Sequence, residues 1–282
     1  MPSVSRERVP TDAESVGADP RYYIESVARA AHVLKVIADR NGPASVAWLA
    51  KQLGWNKAAV YRIVRTLDAL GFLRSTDGGY VPGPALIALG QTALEATGLL
   101  PVARPHLEAL SEAVGETVVL TVLDGPDIVY VDCIEVEAVL MTRSTVGAHL
   151  PAYCTCSGQV QLAGLTDSEV RKRLRKVAMV DRGPNTLSSL KELIGRLGTI
   201  RDAGYAVNDQ ELAVGHRSLA VPVFSYDGTV AAALSVSVPA ARVPLDDLNG
   251  FLPTLLTAAD KISRDLGAPA ASSLTEAQRP SA

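Results

Sequence analysis

The feature that most constrains this chain is the punctuation of its first third. From Val27 the apolar residues Val27, Ala30, Ala31, Leu34, Ile37 and Ala38 recur at helical spacing, and Asn41-Gly42-Pro43 stops that helix. Ser45 is placed to cap a second, short helix with Val46, Leu49, Ala50 and Leu53 facing inward and Gly54 at its end. Asn56 is placed to cap a third, with Val60, Ile63, Val64, Leu67 and Leu70 on one face and Gly71 as terminator. Phe72-Leu73-Arg74 and Tyr80-Val81 then flank Asp77-Gly78-Gly79, a hairpin signal. Three helices and a hairpin within about 60 residues have few ways to share one core, and the winged helix-turn-helix fits the order.

The third helix carries the chemistry. Its outward positions are Lys57, Ala58, Ala59, Tyr61, Arg62 and Arg65. Lys and Arg can meet phosphates or guanine edges, and Tyr61 can reach a phosphate by its hydroxyl or a thymine methyl by its ring. Ser45 and Asn56 at the helix starts and Arg74 on the hairpin complete the expected DNA-facing set. Residues 21–83 hold nine Lys/Arg against four Asp/Glu, although the whole chain has a net charge of −3, so a basic front precedes an acidic body. The same helices could form a plain bundle with a wet charged face. The bases gathered on one helix, together with the hairpin, favour double-stranded DNA as a partner.

Residues 1–20 are polar and aperiodic and are expected to form a disordered arm. Residues 84–114 read as a helical linker interrupted near Gly98 and Pro101. Beyond Gly115 the pattern predicts strands over Thr117–Leu123, Ile128–Cys133 and Val139–Ser144, then an irregular Gly147–Pro151 loop. Helices are expected over Ser157–Leu165, Ser168–Val177 and Leu187–Ala203, and strands over Tyr205–Val207, Ser218–Phe224 and Val230–Val238. A closing helix runs from about Leu245 to Leu266, and the tail from Gly267 is expected to be disordered. Strands and helices mix without βα alternation, which predicts an α+β domain on an antiparallel sheet.

Hydrophobic residues make up 48% and charged residues 20%, a globular composition. No apolar run approaches the roughly 18 residues of a membrane helix, and no signal peptide is visible, so the expected location is cytoplasmic with no membrane partner. A Gly-x-Ser-x-Gly elbow, a phosphate loop and a dinucleotide Gly-x-Gly-x-x-Gly are all missing, so no catalytic residue and no cofactor are expected. Cys133, Cys154 and Cys156 are too few for a disulfide framework. Cys154-x-Cys156 after His149 invites a metal, but zinc pairs usually separate their cysteines by two or more residues, so no metal ligand is assigned. If this segment is a strand or strand end, the two thiols share one face and are packing residues. A back domain that senses thiol oxidation or metal is the second reading.

Several runs together resemble one family. They are Ser26-Val27-Ala28-Arg29-Ala30, then Val60-Tyr61-Arg62-Ile63-Val64-Arg65-Thr66-Leu67 and Leu70-Gly71-Phe72-Leu73 in the front part. In the joint they include Ala103-Arg104-Pro105-His106-Leu107-Glu108-Ala109-Leu110. In the back they include Asp202-Ala203-Gly204-Tyr205-Ala206, Asn208-Asp209-Gln210-Glu211, Gly215-His216-Arg217-Ser218-Leu219-Ala220-Val221-Pro222-Val223 and Ser235-Val236-Ser237. In this order they resemble the IclR-type bacterial transcription regulators. The resemblance implies a winged helix-turn-helix over 21–83, a helical linker over 84–114 and a GAF/PAS-like effector domain over 115–266. It also implies a homodimer or dimer of dimers on palindromic operator DNA, and a small organic acid as effector.

Carried over by position, Asn208 stands where the family commonly has an acidic pocket residue, and Asp209 follows it. Ser218 and Ser235 align with small polar pocket residues. Leu150-Pro151-Ala152-Tyr153-Cys154-Thr155, followed by Gly158, resembles the branch that governs hydroxybenzoate, protocatechuate and β-ketoadipate catabolism; that branch commonly has Arg where His149 stands. Beside the resemblance, Thr155 and Ser157 offer hydroxyls at a helix start whose free N–H groups favour an anion. Arg143 and His149 add positive or titratable groups, and Tyr153 can stack on a ring or fill core.

Overall fold

The computed structural model describes residues 21–38, 40, 42–96, 98–136, 145–270 and 272–277. The expected arm over 1–20, the predicted strand Val139–Ser144 and Arg143 lie outside them. The chain divides into two compact units, Met1–Ala93 and Leu94–Ala282.

The first unit is built from α1 (Glu25–Ala38), α2 (Val46–Leu53), α3 (Lys57–Ala69), β1 (Leu73–Thr76) and β2 (Gly79–Pro82). Ser45 caps α2 by accepting from the Trp48 N–H, and Gly54 closes it in the left-handed conformation. Asn56 caps α3 by accepting from the Ala59 N–H. β1 and β2 pair antiparallel around Asp77-Gly78. Val33, Ile37, Leu49, Val60, Val64, Leu67, Leu73 and Tyr80 form the core of this winged helix-turn-helix. Val27, at the start of the helical apolar repeat, and Leu70, read as part of the apolar face of α3, are 63% and 62% exposed. They sit at opposite ends of their helices, where the apolar stripe runs past the core.

α4 (Pro84–Ala96) leads to α5 (Leu99–Val114), and the break falls at Gly98. Pro101 does not break α5 as expected. It stands in the first turn, where a missing N–H leaves no intrahelical bond unmade.

The second unit holds β3 (Thr117–Asp124), β4 (Asp127–Ile134), β5 (His149–Pro151), α6 (Cys156–Ala163), α7 (Asp167–Leu174) and α8 (Leu190–Ala203). Then follow β6 (Ala206–Asp209), β7 (His216–Phe224), β8 (Val230–Pro239), α9 (Leu245–Leu248), α10 (Leu252–Asp265) and α11 (Leu274–Ala277). The six strands make one antiparallel sheet in the order β5-β4-β3-β8-β7-β6.

Strand alternation gives the sheet two different faces. Leu219, Val221, Val223, Leu234, Val236 and Val238 pack on Leu107 and Leu110 of α5 and on Leu255 and Ile262 of α10. Ala220, Phe224 and Ala233 pack on the other side with Val160 of α6 and Leu193 and Leu197 of α8.

Two expectations fail here. Gly147–Pro151 is not wholly irregular, because His149–Pro151 forms an edge strand against β4. The segment from Gly267 is not a free tail, because Leu274 is 2% exposed and Ala268 packs with it against the α6/α8 layer. Residues 278–282 lie outside the described residues.

Candidate functional site

In the first unit the exposed side of α3 presents Lys57, Ala58, Tyr61, Arg62 and Arg65, with Tyr61 at 52% exposure, while Ala59 is half-buried. Arg65 lies 3.9 Å from Asp68, and Arg74 is exposed on β1. The side-chain oxygens of Ser45 and Asn56 are occupied by the helix starts they cap. Behind this face, Arg29 stacks on Trp55 and Arg40 on Trp48, at 5.3 and 4.1 Å from the ring centroids. These stacked guanidiniums tie α1 and the turn after it to the α2–α3 region.

The second unit gathers its polar residues on one face of the sheet. Strand register sets Asn208 beside Ser218, Ser218 beside Ser237 and Ser237 beside Thr117. Residues in register share a face, so four polar side chains cross the sheet in a row. The neighbouring row is small: Ala206, Ala220, Ser235, Val119 and Cys133. Small residues let the start of α6 approach this part of the sheet closely.

The start of α6 lies over that floor. Thr155 caps it by accepting from the Gly158 N–H at 3.2 Å. The first N–H groups of a helix have no intrahelical acceptor, and here they belong to Cys156 and Ser157. Cys156 Sγ donates to Ser218 Oγ at 3.0 Å, which fixes the positive helix end above the polar row. Gly158 allows this seating, because a Cβ on it would meet the Ala152 backbone.

The row is tied into its surroundings. Asn208 Nδ2 donates to the Cys154 carbonyl at 2.7 Å, and its Oδ1 accepts from the Glu211 N–H at 3.2 Å. Glu211 is buried, accepts from Gln159 Nε2 at 2.6 Å and pairs with Arg196 at 3.3 Å. Burial pushes its carboxyl above the usual range, and Arg196 opposes that shift. Gln159 Nε2 also donates to the Tyr153 carbonyl, so turning the amide over would set oxygen against oxygen. Its Oε1 is buried without a partner.

Not every residue singled out from sequence joins this site. Leu150, Thr155, Ser157, Asn208, Ser218 and Ser235 belong to the layer between α6 and the sheet. His149 is exposed and in register with Val129, on the opposite face. Asp209 also points to the opposite face and binds Arg217 Nε at 2.6 Å. Tyr153 is not a free ring: its hydroxyl donates to the Val180 carbonyl at 2.8 Å and accepts from the Val180 N–H at 3.0 Å. Thr117, Ser237, Gln159 and Glu211 were not singled out. Alternation from Ser218 and Ser235 points to Ser237, whereas Thr117 and Glu211 are placed by register and packing that one sequence does not display.

Cys154 and Cys156 are not on a strand, so the condition for their sharing one face is not met. Cys154 ends a 3-10 turn (Ala152–Cys154) and Cys156 opens α6. Both are buried, and burial pushes their thiols up to about 12 and about 11. A reactive sensor thiol needs the opposite shift. Among the described residues no group of His, Cys, Asp and Glu is arranged to hold a metal ion. No helix among them is long and apolar enough to cross a membrane.

Comparison with known proteins adds the following. Residues 26–77 match the IclR helix-turn-helix domain, and residues 91–264 match the bacterial transcriptional regulator IclR C-terminal domain. The Pca regulon regulatory protein of Pseudomonas putida is 35% identical over 246 residues, covering 86% of this chain and 83% of that protein. The IclR structure of Thermotoga maritima superposes with a TM-score of 0.69 at 30% identity, covering 87% of this chain and all of that one. An IclR homologue of Microbacterium hydrocarbonoxydans, solved with 4-hydroxybenzoate, has the same fold at a TM-score of 0.75 and 24% identity, covering 86% and 98% of the two chains.

Proposed function

This chain belongs to the IclR family of bacterial transcriptional regulators, which are DNA-binding proteins with an effector domain rather than enzymes, and from that premise we propose how its two units divide the work. Residues 21–83 grip operator DNA, with Lys57, Tyr61, Arg62 and Arg65 of α3 in the major groove and Arg74 on the backbone. Residues 115–266 hold a small carboxylic acid, and the chain acts as a homodimer or dimer of dimers on paired half-sites. The observation that carries the effector reading is the start of α6 held over the row Asn208, Ser218, Ser237 and Thr117. N–H groups without an intrahelical acceptor, a positive helix end and hydroxyls on a floor of small residues suit a compact carboxylate. The similarity to a Pca regulon regulator supports an acid from aromatic catabolism.

Calorimetry and thermal shift on the full chain with 4-hydroxybenzoate, protocatechuate and β-ketoadipate test this reading. One of these acids should bind, and Ser235→Ala should weaken it by about 1 kcal/mol, the worth of one hydrogen bond. No response to any of them, beside a clear response to an uncharged compound, would sink the carboxylate site. On the DNA side, Arg62→Ala or Lys57→Ala should cost about 1–3 kcal/mol of operator affinity for a base-edge contact and leave the melting temperature unchanged. If both variants titrate an operator like the parent in a mobility-shift assay, α3 is not the reading helix.

A further inference from the structure

His216 is a half-buried ionisable group, with its Nδ1 atom out of contact with solvent, that the reading above leaves idle. It opens β7, two residues before Ser218, and alternation puts both side chains on the face covered by α6. In register it stands beside Pro239, in the row adjoining Asn208, Ser218 and Ser237. Cys156, at the start of α6, touches Ser218 at 3.0 Å, so the helix end proposed to receive the carboxylate is one row away.

The Nδ1 atom of His216 is buried and has no hydrogen-bond partner. A buried polar atom in that condition calls for an explanation, and a ligand is one of the standard ones. Burial of the ring lowers the imidazole below the usual histidine range, which favours its neutral form. The charged groups on the elements next to it are engaged elsewhere. Arg217, on the opposite face, binds Asp209 and the carbonyls of Ala240 and Val243. Glu211 is held by Gln159 and Arg196, and Arg242 is paired with Glu116. The Cys156 thiol, pushed up to about 11, stays neutral.

Resting on the carboxylate-site reading, we infer that His216 is a specificity-determining residue of the effector site, which takes up a proton from solvent as the acid binds. The orphan nitrogen then meets the anion as part of a cation. An adjacent negative charge favours the charged form of an imidazole, so binding and protonation reinforce each other. An uncharged ligand gains nothing from this coupling, and the site thereby selects anions.

The test is calorimetry of the full chain with 4-hydroxybenzoate and with protocatechuate, in pairs of buffers that differ in ionisation enthalpy. The wild type should take up protons on binding. Its affinity should rise about threefold or more per pH unit between about pH 8 and about pH 6, against a ceiling of about tenfold for one proton. His216→Leu and His216→Gln should both lose this slope, and the glutamine keeps a polar head should the leucine variant fail to fold. His149→Gln, exposed on the other face, should keep it. A wild type that binds with no pH slope and no proton uptake overturns the assignment, as does a slope that survives in a folded His216 variant. If the folded wild type binds neither acid, the carboxylate-site reading itself falls, and this assignment with it.

Discussion

Replacing Gly158 with alanine probes how the start of α6 is seated. A Cβ at this position would lie 2.3 Å from both the Cα and the carbonyl oxygen of Ala152, and 2.7 Å from its carbonyl carbon. Carbon atoms in contact sit about 3.5–4 Å apart, so the overlap exceeds about 1 Å. The atoms met are backbone, and Ala152 is fully buried next to Tyr153, which is clamped to Val180. No rotamer change can relieve the clash, so α6 must move.

Alanine is the better helix former by about 1 kcal/mol, which works in its favour. Overpacking costs about 1–3 kcal/mol where side chains can adjust, and a backbone clash belongs at or above the top of that range. The net loss should be about 2 kcal/mol. Gly195 supplies the control, since it is exposed on α8 and a Cβ there meets nothing within 4 Å. Gly195→Ala should therefore gain about 0.5–1 kcal/mol from propensity alone. Urea titrations of the two variants should move the midpoint in opposite directions. A Gly158→Ala protein with the wild-type midpoint, or with a gain like that of Gly195→Ala, would refute the close seating of α6 on Ala152.

Tyr153→Phe removes a hydroxyl that both donates to and accepts from Val180; it should cost about 1–3 kcal/mol and speed amide exchange at Val180, and unchanged exchange there would show that the clamp is idle. Stability should also fall in mild acid. Burial lowers the imidazoles of His32 and His216, helped at His32 by Lys35. The unfolded chain therefore binds more protons below about pH 6.5, and stability that is complete above that value is lost as pH falls through the folded-state values. Denaturation midpoints at about pH 7.5 and about pH 5.5 should show the drop, with a smaller one in His216→Gln; an equal drop in that variant removes His216 from the account.

What was legible in the sequence was what a few adjacent residues decide. Ser45 and Asn56 can be read as caps because capping is settled within four residues. Gly54 as a helix end and Asp77-Gly78 as a hairpin turn are equally local. In the back domain Ser218 and Ser235 were legible through family wording, but the choice between Asn208 and Asp209 was not. Two neighbours on a strand face opposite ways, and only the register with β7 decides which one enters the site. His149 failed for the same reason, since its pairing with Val129 turns it outward. Leu274 failed because a lone apolar residue among Ala, Ser and Pro carries no period; its burial depends on a hollow formed by residues distant in sequence.

The two faces of the central sheet have a consequence for how such a protein can diversify. In β7 and β8 the residues that hold the domain together, Leu219, Val221, Leu234 and Val236, interleave one by one with those of the polar layer, Ser218, Ala220, Ser235 and Ser237. Each sequence parity answers to a different layer of helices. A codon change at one parity redraws the layer under α6 and leaves the α5/α10 core untouched; a change at the next position does the reverse. A lineage can therefore alter the polar layer by single steps along two adjacent strands, without passing through an unfolded intermediate genotype.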